Sequence, residues 1–211
     1  VINEFNHWGG LAAGPEIAAI RFAMLRVHAL GYHLIRRYSA APVSSAHAYV
    51  HYMPRRAHDP LDLHLTAQAD WTTNEFFFHA LRTGELVFPG ADAEYDPEVR
   101  GALDCWAINY YTRRLIDGRR ADLKGFPFRH KRLRLIPQPF YLEEMYPEGL
   151  IAAVERLSDR PVYLTENGCA ADDDRFRIVY LALHLSALHE AMDSGTDVRG
   201  YFHWSLLDNY E

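Results

Sequence analysis

Short β-type apolar runs alternate along this chain with stretches of helical period, and that alternation limits the possible folds more than any other feature. Runs at residues 1–2, 43–53, 105–112, 162–165 and 198–204 are rich in β-branched and aromatic types and read as about five strands. Between the first two, Gly14-Pro15 places proline at a first helical position, and Ile17, Ile20, Met24, Val27 and Leu34 follow at helical spacing, with Gly31 on the same stripe. Further helices are expected at 72–82, stopping near Gly84, and at 149–157. The last expected helix follows the acidic Asp172 to Asp174, a charge that suits a helix N-terminus. It carries Ile178, Leu181, Leu185, Leu188 and Met192, with Gly195 as its C-cap. Strands that alternate with helices imply an α/β fold with parallel strands joined by crossovers.

Two architectures satisfy that pattern. A doubly wound sheet is expected to carry a glycine-rich phosphate loop, and neither G-x-G-x-x-G nor G-x-x-x-x-G-K-[ST] is present. A β/α barrel is expected to gather its polar chemistry at the C-terminal tips of several strands. Polar side chains do stand there: Asn3-Glu4, Asn109 and Tyr111, Glu166-Asn167, and Trp204.

Two of those tips end in a glutamate beside an asparagine, in VINEF at the start and VYLTENG at 162–168. Paired carboxyl groups suit glycoside hydrolysis, in which one is a charged nucleophile and the other a protonated acid, about 5–5.5 Å apart in the retaining form. Glu4 and Glu166 are plausible partners, because a barrel brings different strand tips together whatever their separation in sequence. The charged one needs donors, such as a tyrosine hydroxyl, to hold its pKa down, whereas burial and the neighbouring charge keep the acid protonated. A lone glutamate at a strand tip is more often a cap or a solvated loop residue. The constellation carries the argument.

Other classes fare less well. The net charge of −6 disfavours nucleic acid and anionic membranes, and no apolar run approaches the ~20 residues of a membrane span. A basic run from Arg113 through Arg119, Lys124 and Arg129 to Arg134 is local, and a solvated loop explains it best. The twelve histidines are scattered without H-E-x-x-H, and no metal or cofactor is expected. Two cysteines, Cys105 and Cys169, make no disulfide scaffold and lean towards a reducing, cytoplasmic setting.

TENG after a β-run, INYYT in the middle and GYFHWSLLDNYE at the end resemble glycoside hydrolase family 1, the retaining β-glucosidase family. Asn3-Glu4 looks like that family's Asn-Glu-Pro motif, with Phe5 in place of proline. EMYPEGL at 144–150 and Asn74 followed by aromatics also agree, in order. The resemblance implies a single catalytic domain over 1–211, an incomplete (β/α)8 barrel covering roughly strands 4 to 8. It implies Glu166 as nucleophile and Glu4 as general acid/base. Asn3 would bind the sugar 2-hydroxyl, Tyr111 would orient the nucleophile, Asn109 would be a polar neighbour, and Trp204 would lie under the sugar ring. Glu211 would grip the far hydroxyls, which favours an unphosphorylated β-glycoside or oligosaccharide as substrate. Glu143 stands where many members carry a tryptophan on the leaving-group side, implying an altered aglycone preference. Missing strands 1 to 3 imply weak or absent turnover by this chain alone and self-association through open barrel edges. A non-catalytic sugar-binding protein of the same fold is the alternative.

Overall fold

The computed structural model describes residues 1–7, 13–120, 144–171 and 174–207. Its centre is a four-stranded parallel sheet in the order β1 (Ala46–Pro54), β4 (Trp106–Ile116), β5 (Val162–Asn167), β6 (Val198–His203). Two short strands, β2 (Glu85–Leu86) and β3 (Glu94–Tyr95), form a separate antiparallel pair. The helices are α1 (Pro15–Arg36), α2 (Pro60–Asp70), α3 (Phe76–Thr83), α4 (Glu148–Arg156) and α5 (Asp174–Asp193). Each parallel connection carries a helix, as parallel pairing requires.

Several local expectations hold. Pro15 opens α1, Gly84 closes α3 at φ 84°, and Gly195 sits beyond α5 at φ 99°. Others need correction. Val1 and Ile2 form no strand of their own. A single parallel bridge joins Asn3 to Ala46, flanked by Ala46 N–H to the Ile2 carbonyl (3.0 Å) and Glu4 N–H to the Ala46 carbonyl (2.9 Å). The helix expected over 72–82 is two pieces, a π-helical turn at Trp71–Glu75 and then α3, and α2, which was not expected, runs directly into them. Asp59-Pro60 starts α2. The Asp59 carboxylate caps the Leu61 and Asp62 amides, and Pro60 takes the position where a missing N–H costs nothing.

The expected core stripes of α1 and α5 hold only in part: Ile17 and Met24 pack against the core and Leu188 is buried. On α1 the buried face is Ala18, Arg21, Phe22, Leu25, His28 and Ala29, whereas Ile20, Val27 and Leu34 are exposed. On α5 it is Tyr180, His184, Ala187, Leu188 and Ala191, with Ile178, Leu185 and Met192 outside. On both helices the buried face is one that carries polar side chains among its apolar ones. Arg21 donates to the Thr72 carbonyl and lies over the Phe77 and Phe88 rings. Burial lowers its pKa to about 10.

The core joins α1, α3, α4 and the sheet through Phe22, Leu25, Phe76, Phe77, Ile108, Leu150 and Leu164. Phe5, the residue replacing proline after Glu4, is 2% exposed, with its ring 4.7 Å from that of Phe77 in an edge contact. The position after Glu4 is therefore anchored by packing rather than by a proline ring.

Beside β1, the segment before α1 and the π-helical turn fill the place of a neighbouring strand. Ala46 pairs with Ile2 and Glu4 as above. Ala48 exchanges both of its main-chain bonds with the Asn6 side chain. The Val50 carbonyl accepts from Asn74 Nδ2 at 2.8 Å. No strand among the described residues pairs with the outer edge of β6.

Candidate active site

The middle of β4, the C-terminal end of β5 and the turn at Glu4 meet at one place, since β4 runs on past the expected tip at Asn109 and Tyr111 to Ile116. Parallel pairing aligns β4 and β5, with Ile108 opposite Leu164 and then Asn109 opposite Glu166. That skip is a β-bulge, and it decides where Glu166 points. Under simple alternation from Leu164, which lies in the core, Glu166 would share its face and turn towards the helices. The extra residue shifts the phase. Thr165 and Glu166 both reach residues of the site, and Asn167 turns to the helical side, donating to the Tyr110 carbonyl (2.6 Å) and bonding Tyr180 Oη (3.1 Å). The two asparagines beside the glutamates therefore have different surroundings: Asn3 touches the opposite carboxylate, and Asn167 is buried in the scaffold behind it.

Five of the expected site residues form one network. Tyr111 Oη donates to Glu166 Oε2 at 2.7 Å, and Asn3 Nδ2 donates to Glu166 Oε1 at 3.3 Å. Asn109 Nδ2 donates to Glu4 Oε1 at 3.0 Å and to Asn3 Oδ1 at 3.2 Å. Thr165, which sequence reasoning missed, donates from Oγ1 to Asn109 Oδ1 at 2.6 Å. That bond leaves the Asn109 amide hydrogens directed at Glu4 and Asn3. Only the β-bulge gives Thr165 this role, and the residue string holds no signal for it.

Burial raises the pKa of Glu166 above its ordinary value, and the negative charge of Glu4 adds to the effect. Hydrogen bonds from Tyr111, Asn3 and Asn109 pull in the other direction. The donors expected to keep this carboxylate acidic are present, but desolvation outweighs them. Glu4 sits at φ 48°, a left-handed conformation uncommon for a residue with a β-carbon.

Trp204 follows β6 and is 44% exposed, and its main-chain N–H donates to the Asn167 carbonyl at 2.9 Å. Gly168 lies against it so closely that a β-carbon there would collide with the Trp204 carbonyl oxygen. The glycine of TENG is thus required by this close approach. Glu211, Glu143 and the basic residues Lys124 to Arg134 lie outside the described residues. Of the basic run that is described, Arg113 is held by Glu144 at 2.6 Å and Arg119 by Asp59 at 3.1 Å. Among the described residues no group of three histidine, cysteine or carboxylate side chains could hold a metal ion.

A parallel sheet whose strands are joined by helices, with polar side chains gathered on one side of it, is a partial β/α barrel. The family model for glycosyl hydrolase family 1 matches residues 11–211, and the chain belongs to that family. It is 34% identical over 206 residues to a β-galactosidase of Sulfolobus acidocaldarius, covering 93% of this chain and 40% of that protein. A β-galactosidase of Pyrococcus woesei is 30% identical, covering 93% of this chain and 44% of that one. The structure of a β-glycosidase from Pyrococcus horikoshii superposes with a TM-score of 0.79 at 29% identity, over 92% of this chain and 44% of that one. A family 1 β-glucosidase from Thermotoga maritima shares the fold, with a TM-score of 0.76 at 23% identity, over 91% of this chain and 48% of that one. The chain spans about two-fifths of the length of the curated relatives it matches. The family match starts after Asn3 and Glu4, so their assignment to the site rests on the hydrogen bonds above.

Proposed function

We propose that this chain carries the catalytic pair of a retaining β-glycosidase that acts on unphosphorylated β-glycosides by double displacement. The observation carrying this reading is the bridge between the two carboxyl groups: Asn109 bonds Glu4 and Asn3, and Asn3 bonds Glu166. In the first step Glu166 attacks the anomeric carbon as the bond to the leaving oxygen breaks, and Glu4 gives that oxygen its proton. In the second, Glu4 takes a proton from water, which attacks the same carbon and releases Glu166. Tyr111 holds the attacking carboxylate in place, and Asn3 faces the sugar 2-hydroxyl. Trp204 supplies an apolar face for the sugar ring, and Glu211 binds its far hydroxyls.

The matched relatives are named as β-galactosidases, and a β-glucoside or β-galactoside is the first substrate to try. Following an aryl β-glucoside by proton NMR tests the mechanism. A β-anomer appearing first supports it, and an α-anomer appearing first contradicts it.

Residues 1–211 are read as a single partial catalytic domain. Turnover by this chain alone is expected to be slow, because a four-stranded sheet leaves the carboxylates without a closed wall. Self-association is proposed through the outer edge of β6 and the exposed apolar residues of α1 and α5. A concentration-independent monomer in sedimentation would contradict it. The unpaired Cys105 and Cys169 fit a cytoplasmic setting. No helix among the described residues is long and apolar enough to cross a membrane.

A further inference from the structure

Asn6, two residues past Glu4, is 1% exposed and uses its side chain as a piece of β-strand. The Ala48 N–H donates to Asn6 Oδ1 at 2.9 Å, and Asn6 Nδ2 donates to the Ala48 carbonyl at 2.8 Å. That reciprocal exchange is what a neighbouring strand would offer. The second Nδ2 hydrogen reaches the Thr73 carbonyl at 3.1 Å, which ties the same side chain to the π-helical turn. The His47 Nε2 atom is also 3.1 Å from Asn6 Nδ2. Burial holds that imidazole far below its ordinary range, at about 3, so it is neutral and adds no competing charge.

The consequence falls on Glu4. Its own N–H is bonded to the Ala46 carbonyl at 2.9 Å, and its carbonyl accepts from the His7 N–H at 2.9 Å in a tight turn. Between these contacts the backbone adopts φ 48°. A glutamate relaxes out of that conformation unless both flanks are fixed. Ala46 fixes the flank before it. Asn6, clamped to Ala48 two residues further along the same strand, fixes the flank after it. Phe5 fills the space between with its ring against Phe77.

We propose that Asn6 is a positioning residue that aims the Glu4 carboxyl by clamping the turn after it to the edge of β1. It touches no reacting atom and acts through Glu4. The inference rests on the reading of Glu4 as general acid.

The test compares kcat/KM for 2,4-dinitrophenyl and phenyl β-glucosides, which reports formation of the glycosyl-enzyme. Dinitrophenolate departs without a proton and phenolate needs one. Asn6→Ala is expected to lower the phenyl substrate's value at least about tenfold more than the dinitrophenyl value, a fraction of what general acid catalysis supplies. Equal losses for both substrates, or no loss, would overturn the proposal and leave Asn6 as scaffold only. Asn74→Ala is the matched control: it removes the amide that bonds Val50 on the same edge, and is expected to lower stability without changing the ratio between the substrates. If Asn6→Ala does not fold, Asn6→Ser is measured in the same way.

If the wild-type chain turns over neither substrate, the catalytic reading fails separately, and the proposal is read from carboxyl titrations of glutamate-labelled protein by carbon NMR. Glu4 raises the pKa of Glu166 through its charge. A Glu166 midpoint that falls in Asn6→Ala means that Glu4 has swung away, as proposed. An unchanged midpoint overturns it.

Discussion

The Tyr111 hydroxyl donates to Glu166 Oε2 at 2.7 Å, from the strand that lies beside Glu166's own. Because β4 and β5 are hydrogen-bonded neighbours, that contact is built on the rigid part of the fold and not on a loop. The bond favours the charged carboxylate. Tyr111→Phe is expected to raise the Glu166 pKa further and to move the acidic limb of the kcat/KM profile to higher pH. The loss at the optimum is expected to be about 10–100-fold, the worth of a charge-assisted hydrogen bond in a site sheltered from water. An unmoved acidic limb would remove Tyr111 from this role.

Glu4→Gln separates the acid from the nucleophile. Activity on poor leaving groups falls by about 10²–10⁴-fold, and activated aryl glycosides lose far less. Comparing phenyl and dinitrophenyl glycosides with the variant reads the difference, and equal losses on both would remove Glu4 from the role of acid.

Glu166→Gln is expected to raise stability at neutral pH. The folded-state pKa of Glu166 is raised, so the native state holds its proton more tightly than the unfolded chain does. The associated stability is present below the unfolded pKa and is lost as pH rises through the folded pKa. At neutral pH the wild type therefore bears a cost that the amide lacks. Thermal melts should place the variant above the wild type at pH 7, with the gap closing towards pH 4. A variant less stable at neutral pH would contradict the raised pKa.

Phe77→Ala is expected to cost about 3–5 kcal/mol, because the side chain is 0% exposed and leaves a cavity beneath Phe5. Denaturant unfolding measures it. Since Phe5 follows Glu4 directly, the variant should also lose activity on poor leaving groups before it loses its fold.

Much of the fold was legible because its signals are local. Helical spacing located α1 and α5, glycine placed the ends of α3 and α5, and β-branched and aromatic runs placed the four strands of the parallel sheet. The buried faces of α1 and α5 were not legible. Arg21, His28 and His184 sit on them, and a reading that seeks apolar stripes rotates past such residues to Ile20, Val27 and Ile178. The site was legible as a set of strand tips, but not in detail. Thr165 enters through a register shift, and Asn6 through main-chain bonds that no side-chain pattern announces. Two bonding positions on the edge beside β1 are filled by carboxamides rather than by a strand, an arrangement no local pattern reveals.

The most direct measurement is intact-mass spectrometry of the purified chain after incubation with a 2-deoxy-2-fluoro β-glucosyl donor carrying dinitrophenolate. The fluorine slows release of the glycosyl-enzyme, so even slow chemistry accumulates. A single added fluoroglucosyl group, mapped to Glu166 and absent from Glu166→Gln, is the predicted result. An unmodified mass from folded protein, or an adduct on any other residue, would contradict the assignment of Glu166 as the nucleophile of a working site.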